Sequence, residues 1–70
     1  MNYNDLRAEI ARCNLTLPKV AKAIGISEKT IYSRMAGRTE FSQSEITKIA
    51  KLLCLNEEKI IAIFFNSKVS

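Results

Sequence analysis

Seventy residues, 47% of them apolar, with a net charge of +4 describe one small domain, residues 1–70, with enough apolar matter for a single core; that excludes a disordered polar tail. There is no His, and the two cysteines, Cys13 and Cys54, form no CxxC; a zinc site lacks ligands, and no metal or cofactor is expected. The longest apolar run, Ile60 to Phe65, is far too short to span a bilayer, and MNYNDLRAEI has neither the basic nor the apolar region of an export signal. The expectation is a cytoplasmic, membrane-free chain whose two thiols are reduced and buried near helix ends.

The patterning predicts five helices. Asn4 is placed to cap the first, Asp5 to Cys13, with Leu6 and Ile10 facing inward and Arg7, Glu9 and Arg12 on the other side. Thr16 caps the second, Leu17 to Ile24, and Pro18 sits in its first turn, where a missing N–H is harmless. Val20, Ala21 and Ile24 line one face of it; Lys19 and Lys22 point away. Gly25 ends the helix, Ile26 seals the turn, and Ser27 caps a third helix, Glu28 to Ala36, which Gly37 ends in the same way. Ser42 and Glu45 form a capping box for the fourth, with Phe41 and Ile46 as its hydrophobic staple and Ile46, Ile49, Ala50 and Leu53 as its inward stripe. Asn56 caps a fifth, Glu57 to Phe65, and a loosely packed tail follows from Asn66 to Ser70.

Charge is not spread evenly over these elements. Residues 16–38 carry Lys19, Lys22, Lys29, Arg34 and Arg38 against Glu28 alone, a net +4, whereas residues 1–15 and 39–70 each sum to zero. An isolated Lys or Arg is an ordinary solvated surface residue. A positive excess confined to one pair of short helices is an electrostatic footprint for a polyanion.

Within that segment, Val20, Ala21, Ile24, Gly25, Ile26 and Ile31 follow a tight stereochemical order. Ala21 lets a neighbouring helix come close, Gly25 permits the turn, and the branched residues fix the angle between the helices. In this order and spacing the segment resembles the helix-turn-helix of the Cro-type phage repressors and of small prophage regulators. GRTEF, SEITKIAKLLCLNEEKI and the closing IFFNSKV are similar to the loop, fourth helix and ending of that family, so the likeness covers roughly residues 5 to 65. Two positions depart from it. Arg34 stands where the family often has an apolar residue, with Met35 taking the core position four after Ile31; Leu17 stands where a phosphate-contacting Gln is common.

The resemblance implies an all-α, compact five-helix domain of the lambda-repressor-like DNA-binding type, with its motif at residues 17–36 and its third helix in the major groove. With Ile31 and Met35 inward, the opposite face carries Lys29 and Ser33, flanked by Thr30 and Tyr32, with Glu28 at the leading tip. These five are the candidate base contacts: Lys29 toward guanine, Glu28 toward cytosine, Ser33 and Thr30 toward several edges. For Tyr32 two readings are open, a ring on the groove wall or a cover for the core edge. Thr16, Lys19, Lys22 and Arg38 are the candidate phosphate contacts. The run from Ile60 to Phe65 is apolar all round, which exceeds what a surface helix needs; Ile61, Phe64 and Phe65 are its candidate association surface, for a homodimer on a two-fold operator or a heteromer with another repressor. The expected function is a transcriptional repressor binding duplex DNA. A small antirepressor that grips another repressor protein is the rival, because +4 is modest for a DNA binder and Glu28 is repelled by phosphate. Without His, a phosphate-binding loop or paired carboxylates on one face, an enzyme is not expected.

Overall fold

Five short polar side chains fix where the helices begin. In the computed structural model, which describes residues 1–65, Asn2, Thr16, Ser27, Ser42 and Asn56 each stand in extended backbone and accept a hydrogen bond from the N–H three residues on. Each satisfies one of the orphan donors that a helix start leaves open. The helices so started are α1 (Tyr3–Arg12), α2 (Leu17–Ile24), α3 (Glu28–Met35), α4 (Gln43–Leu52) and α5 (Glu57–Phe64), and the described residues contain no strand. The first cap differs from expectation: Asn2, not Asn4, starts α1. Its Oδ1 accepts from the Asp5 N–H at 3.0 Å, and its own N–H donates to the Ile63 carbonyl at 2.7 Å, so a contact across the fold selects the earlier cap. Ser42 and Glu45 close the expected capping box, and Phe41 and Ile46 line one surface groove.

The ends are as regular as the starts. Asn14, Gly25, Gly37 and Cys54 all have positive φ, between 56° and 84°. The N–H of the next residue reaches back to the carbonyl five before it: Leu15 to Ile10, Ile26 to Ala21, Arg38 to Ser33, Leu55 to Ala50. This is the closure that a left-handed residue makes possible after a helix. Gly adopts it without steric cost and Asn tolerates it, whereas a Cys there pushes its Cβ toward the carbonyl. The expectation of two buried thiols is corrected accordingly. Cys54 is exposed because its backbone serves as a turn, and Cys13 is only half-buried, its Sγ 4.0 Å from the Leu53 carbonyl oxygen.

The core draws on every helix: Leu6 and Ile10, Val20, Ala21 and Ile24, Ile31 and Met35, Ile49 and Leu53, Ile63 and Phe64, with Phe41 from the loop before α4. The Cα radius of gyration is 11.2 Å, against about 11 Å for a compact chain of this length. α2 packs on both α3 and α4, while α1 packs on α5. Phe64 is only 8% exposed and meets Phe41 edge to face, 6.0 Å between ring centroids; it belongs to the core and not to the outer face of α5. Glu9 is a further correction. It is buried instead of facing solvent, its carboxylate taking Arg12 Nε at 2.8 Å and Lys59 Nζ at 3.3 Å, an ion cluster that ties α1 to α5. The Arg12 hydrogen bond, opposed by burial, holds the Glu9 carboxyl below its usual range. No helix among the described residues is long and apolar enough to cross a membrane. The expected loose tail, Asn66 to Ser70, lies outside the described residues.

Candidate nucleic-acid interface

α3 is held by one face and open on the other. Ile31 and Met35, four residues apart, are buried against the core. Ala21 is 1% exposed on α2, which packs on both α3 and α4, and Gly25 with φ +84° turns the chain between α2 and α3. Only Gly25, Ile26 and Ser27 separate the two helices, so the closure of α2 and the cap of α3 fix their relative placement.

Two surface grooves flank α3. One is lined by Lys29, Tyr32, Ser33 and Ala36, the stripe at i, i+3, i+4 and i+7, together with Arg7 from α1 and Arg38 from the following loop. The other, between α2 and the start of α3, is lined by Pro18, Lys19, Ala21, Lys22, Ile26 and Glu28. The candidate base contacts therefore divide. Lys29, Tyr32 and Ser33 share one groove, and Tyr32 is 50% exposed. Its ring lies along that groove and not inside the core. Glu28 faces the other groove. Thr30 is half-buried and reads least toward the outside, since its hydroxyl takes a hydrogen bond from Ser27 Oγ at 2.9 Å. Ser33 Oγ lies 3.3 Å from Thr39 Oγ1. Of the candidate phosphate contacts, Lys19, Lys22 and Arg38 are exposed and Thr16 caps α2, with the Lys19 N–H 3.4 Å from its hydroxyl.

Arg34 does not belong to this open face. Its Nε and Nη2 donate to the two carboxylate oxygens of Glu45 at 2.9 and 3.0 Å, and Nη1 donates to Thr39 Oγ1 at 2.8 Å. Two parallel bonds to one carboxylate are the strongest geometry available to an arginine. Glu45 also accepts from the Ser42 N–H at 3.1 Å. It thus starts α4 and latches α3 to it. The Arg34 guanidinium, against the cost of burial, holds the Glu45 carboxyl below its usual range. This is why an arginine replaces the apolar residue expected there: Met35 takes the core position, and Arg34 turns to α4.

Pairing redraws the charge footprint. Among the described residues, Arg12, Arg34 and Lys59 have carboxylate partners; Lys48 and Lys51 on α4 have none, and neither have Arg7, Lys19, Lys22, Lys29 and Arg38 around α3. Arg7 was missed by the sequence reading, which placed it on the solvent side of the first helix in a segment of zero net charge. Periodicity puts a residue on the outer face of its own helix; it does not say which other helix lies beside that face. The association candidates divide as well. Ile61 and Phe65 are 59% and 54% exposed, and Phe65 borders an apolar groove with Ile46, Ala50, Leu55 and Ile60. Among the described residues no three His, Cys, Asp or Glu side chains come together as metal ligands.

Comparison with curated proteins gives no match, and comparison with solved structures gives none. A family model does match, over residues 1–67, and the chain belongs to the family it describes, the protein of unknown function family DUF739.

Proposed function

We propose that α2, its turn and α3 form a helix-turn-helix that binds duplex DNA in a sequence-specific way, and that the protein is a transcriptional regulator, a repressor of the Cro type. The observation that carries this reading is the set of cations without carboxylate partners around α3, joined on the same side by the exposed Tyr32 and the half-buried Ser33. In the proposed complex α3 enters the major groove. Lys29 reads guanine O6 and N7, and Ser33 and Tyr32 meet neighbouring base edges or the thymine methyl, each good contact discriminating by about 1–3 kcal/mol. Glu28, at the tip, accepts from cytosine N4 and disfavours sites without it. Thr30 stays with its cap and makes the weakest contribution. Lys19, Lys22 and Arg38 hold phosphates and set the register.

The exposed Ile61 and Phe65 support a second element of the proposal, association through α5. Large apolar side chains that no core covers are the usual anchors of protein contacts. A second copy would place two α3 helices on half-sites about one turn apart. The same surface is what favours the rival reading, an antirepressor acting on another repressor protein.

Selecting ligands from random duplexes with the whole chain tests the reading. A defined, two-fold consensus is expected, with Lys29→Ala and Ser33→Ala losing affinity for it more than for bulk DNA, and Lys22→Ala losing both alike. No enrichment, together with equal losses from all three variants, would remove the base-reading assignment. Light scattering of wild type and Phe65→Asp at high micromolar concentration tests association: a dimer lost in the variant is expected. A wild type that stays monomeric in solution and on DNA would leave only a heteromer.

A further inference from the structure

The groove on the α1 side of α3 carries an arginine that the charge balance of the chain conceals. We infer that Arg7 is a phosphate-contacting residue, so that cations on both sides of α3, Lys19 and Lys22 from α2 and Arg7 with Arg38 from the opposite side, hold the two strands that border the DNA groove. The inference rests on the proposed duplex reading and adds a residue and a geometry to it.

Three observations support it. The acids near Arg7 in sequence are occupied elsewhere: the Asp5 carboxylate accepts from Asn2 Nδ2 at 3.1 Å, and Glu9 holds Arg12 and Lys59. Arg7 itself has no ion-pair partner among the described residues and is exposed. The zero net charge of residues 1–15 is therefore the sum of the Glu9–Arg12 pair, the exposed Asp5 carboxylate, and Arg7, which lies two residues from Asp5 and does not face it on the helix. Second, Arg7 lines the same groove as Lys29, Tyr32, Ser33 and Arg38, whereas Lys19 and Lys22 line a separate groove between α2 and the start of α3. Third, a helix about 10–12 Å across nearly fills a major groove about 12 Å wide, so phosphates lie along both of its flanks. In the inferred complex α2 supplies cations to one flank and Arg7 of α1, with Arg38, supplies them to the other. An arginine suits the position because its planar fork can bridge phosphate oxygens that a lysine meets as a point charge.

Fluorescence anisotropy of the whole chain on a selected duplex and on an unrelated one, across about 50–200 mM salt, tests the inference. Arg7→Ala is expected to weaken both duplexes alike and to make the slope of log affinity against log salt shallower by about 1. Arg7→Lys should keep the wild-type slope, because it keeps the charge. Lys51→Ala, an equal change of charge in the last turn of α4, should also keep it. Arg7→Ala should melt with wild type, its side chain being exposed. A steep wild-type slope left unchanged by Arg7→Ala would overturn the Arg7 assignment and leave the DNA reading standing. A loss confined to the selected duplex would also overturn it, by moving Arg7 to base reading. A wild type that binds neither duplex would overturn both.

Discussion

Two arginines that adjoin core positions, Arg7 after Leu6 in α1 and Arg34 before Met35 in α3, have opposite fates, and so do the regions around them. Toward α4 and α5 the covered carboxylates are matched, Arg34 lying on Glu45 and Arg12 and Lys59 sharing Glu9, while Lys48 and Lys51 of α4 stay exposed without an ion-pair partner among the described residues. The carboxylates there are largely covered, with side chains 12% exposed, and charges so placed must be paired. Around α3 the cations Arg7, Lys19, Lys22, Lys29 and Arg38 have no such partners among the described residues. Like charges so gathered repel one another, which disfavours the compact state; an external anion would relieve that repulsion. One region uses charge to join helices, and the other leaves it available.

The sharpest way to break the contrast is to remove what both regions stand on. Ile31 is fully buried between them, and Ile31→Ala is expected to cost about 2–5 kcal/mol. That is a large part of the stability of a domain this size, at about 0.05–0.15 kcal/mol per residue. Urea unfolding should show it, and an unchanged midpoint would show that Ile31 is not the wall against which α3 packs.

Glu45→Ala tests the matched side alone. It removes both the reciprocal half of a capping box, worth about 1 kcal/mol, and a bidentate charged pair, for which about 1.5–3 kcal/mol is typical; a loss of about 2.5–4 kcal/mol is expected. DNA binding by the fraction still folded should keep its salt slope, since Arg34 is not assigned to phosphate. A variant as stable as wild type would mean that the latch between α3 and α4 contributes nothing.

The same pair sets a pH dependence. Arg34 lowers the carboxyl of Glu45 in the folded state, and Arg12 lowers that of Glu9, from an ordinary value near 4.5. The folded protein then binds fewer protons than the unfolded chain in the acid range, so this stabilisation is complete above about pH 5 and is lost as pH falls through the lowered values. Wild type and Glu45→Ala should therefore converge in stability as pH falls below the ordinary carboxyl value near 4.5, to about the capping contribution that does not depend on charge. A gap that stays constant from pH 7 to pH 3 would contradict the assignment.

The smallest expected effect is a gain. Cys54 adopts φ 56° to end α4, and Cys54→Gly should stabilise by about 0.5–1 kcal/mol, the relief of the left-handed strain less the greater freedom of Gly in the unfolded chain. Asn14→Gly, at φ 59°, should gain less, because Asn tolerates this conformation. Equal gains would mean that the cysteine carries no special strain.

Local signals made most of the fold legible. Thr16, Ser27, Ser42 and Asn56 are caps whose partners lie three residues away, and Gly25 and Gly37 end helices through bonds to the preceding turn; such features are written in adjacent residues. The misreadings share a different cause. Asn2 is chosen over Asn4 by a bond to Ile63. Glu9 is buried because Lys59 reaches it from α5, and Phe64 is buried because Phe41 receives it. Arg34 leaves the open face because Glu45 stands opposite. Each is decided by a residue on another element, which periodicity does not specify. The candidate site follows the same rule: the outward stripe of α3 was readable, but the contribution of Arg7 depends on where α1 lies.

The central claim, that α3 and its unpaired cations meet a duplex, is tested most directly by titrating wild-type protein onto duplex DNA at several salt concentrations. With four cations assigned to phosphate, Lys19, Lys22, Arg38 and Arg7, and about 0.9 in slope for each, log affinity should fall against log salt with a slope of about −3 to −4. An affinity that stays flat from about 50 to 200 mM salt would contradict the account, because cations that release no counterions are not in contact with phosphate.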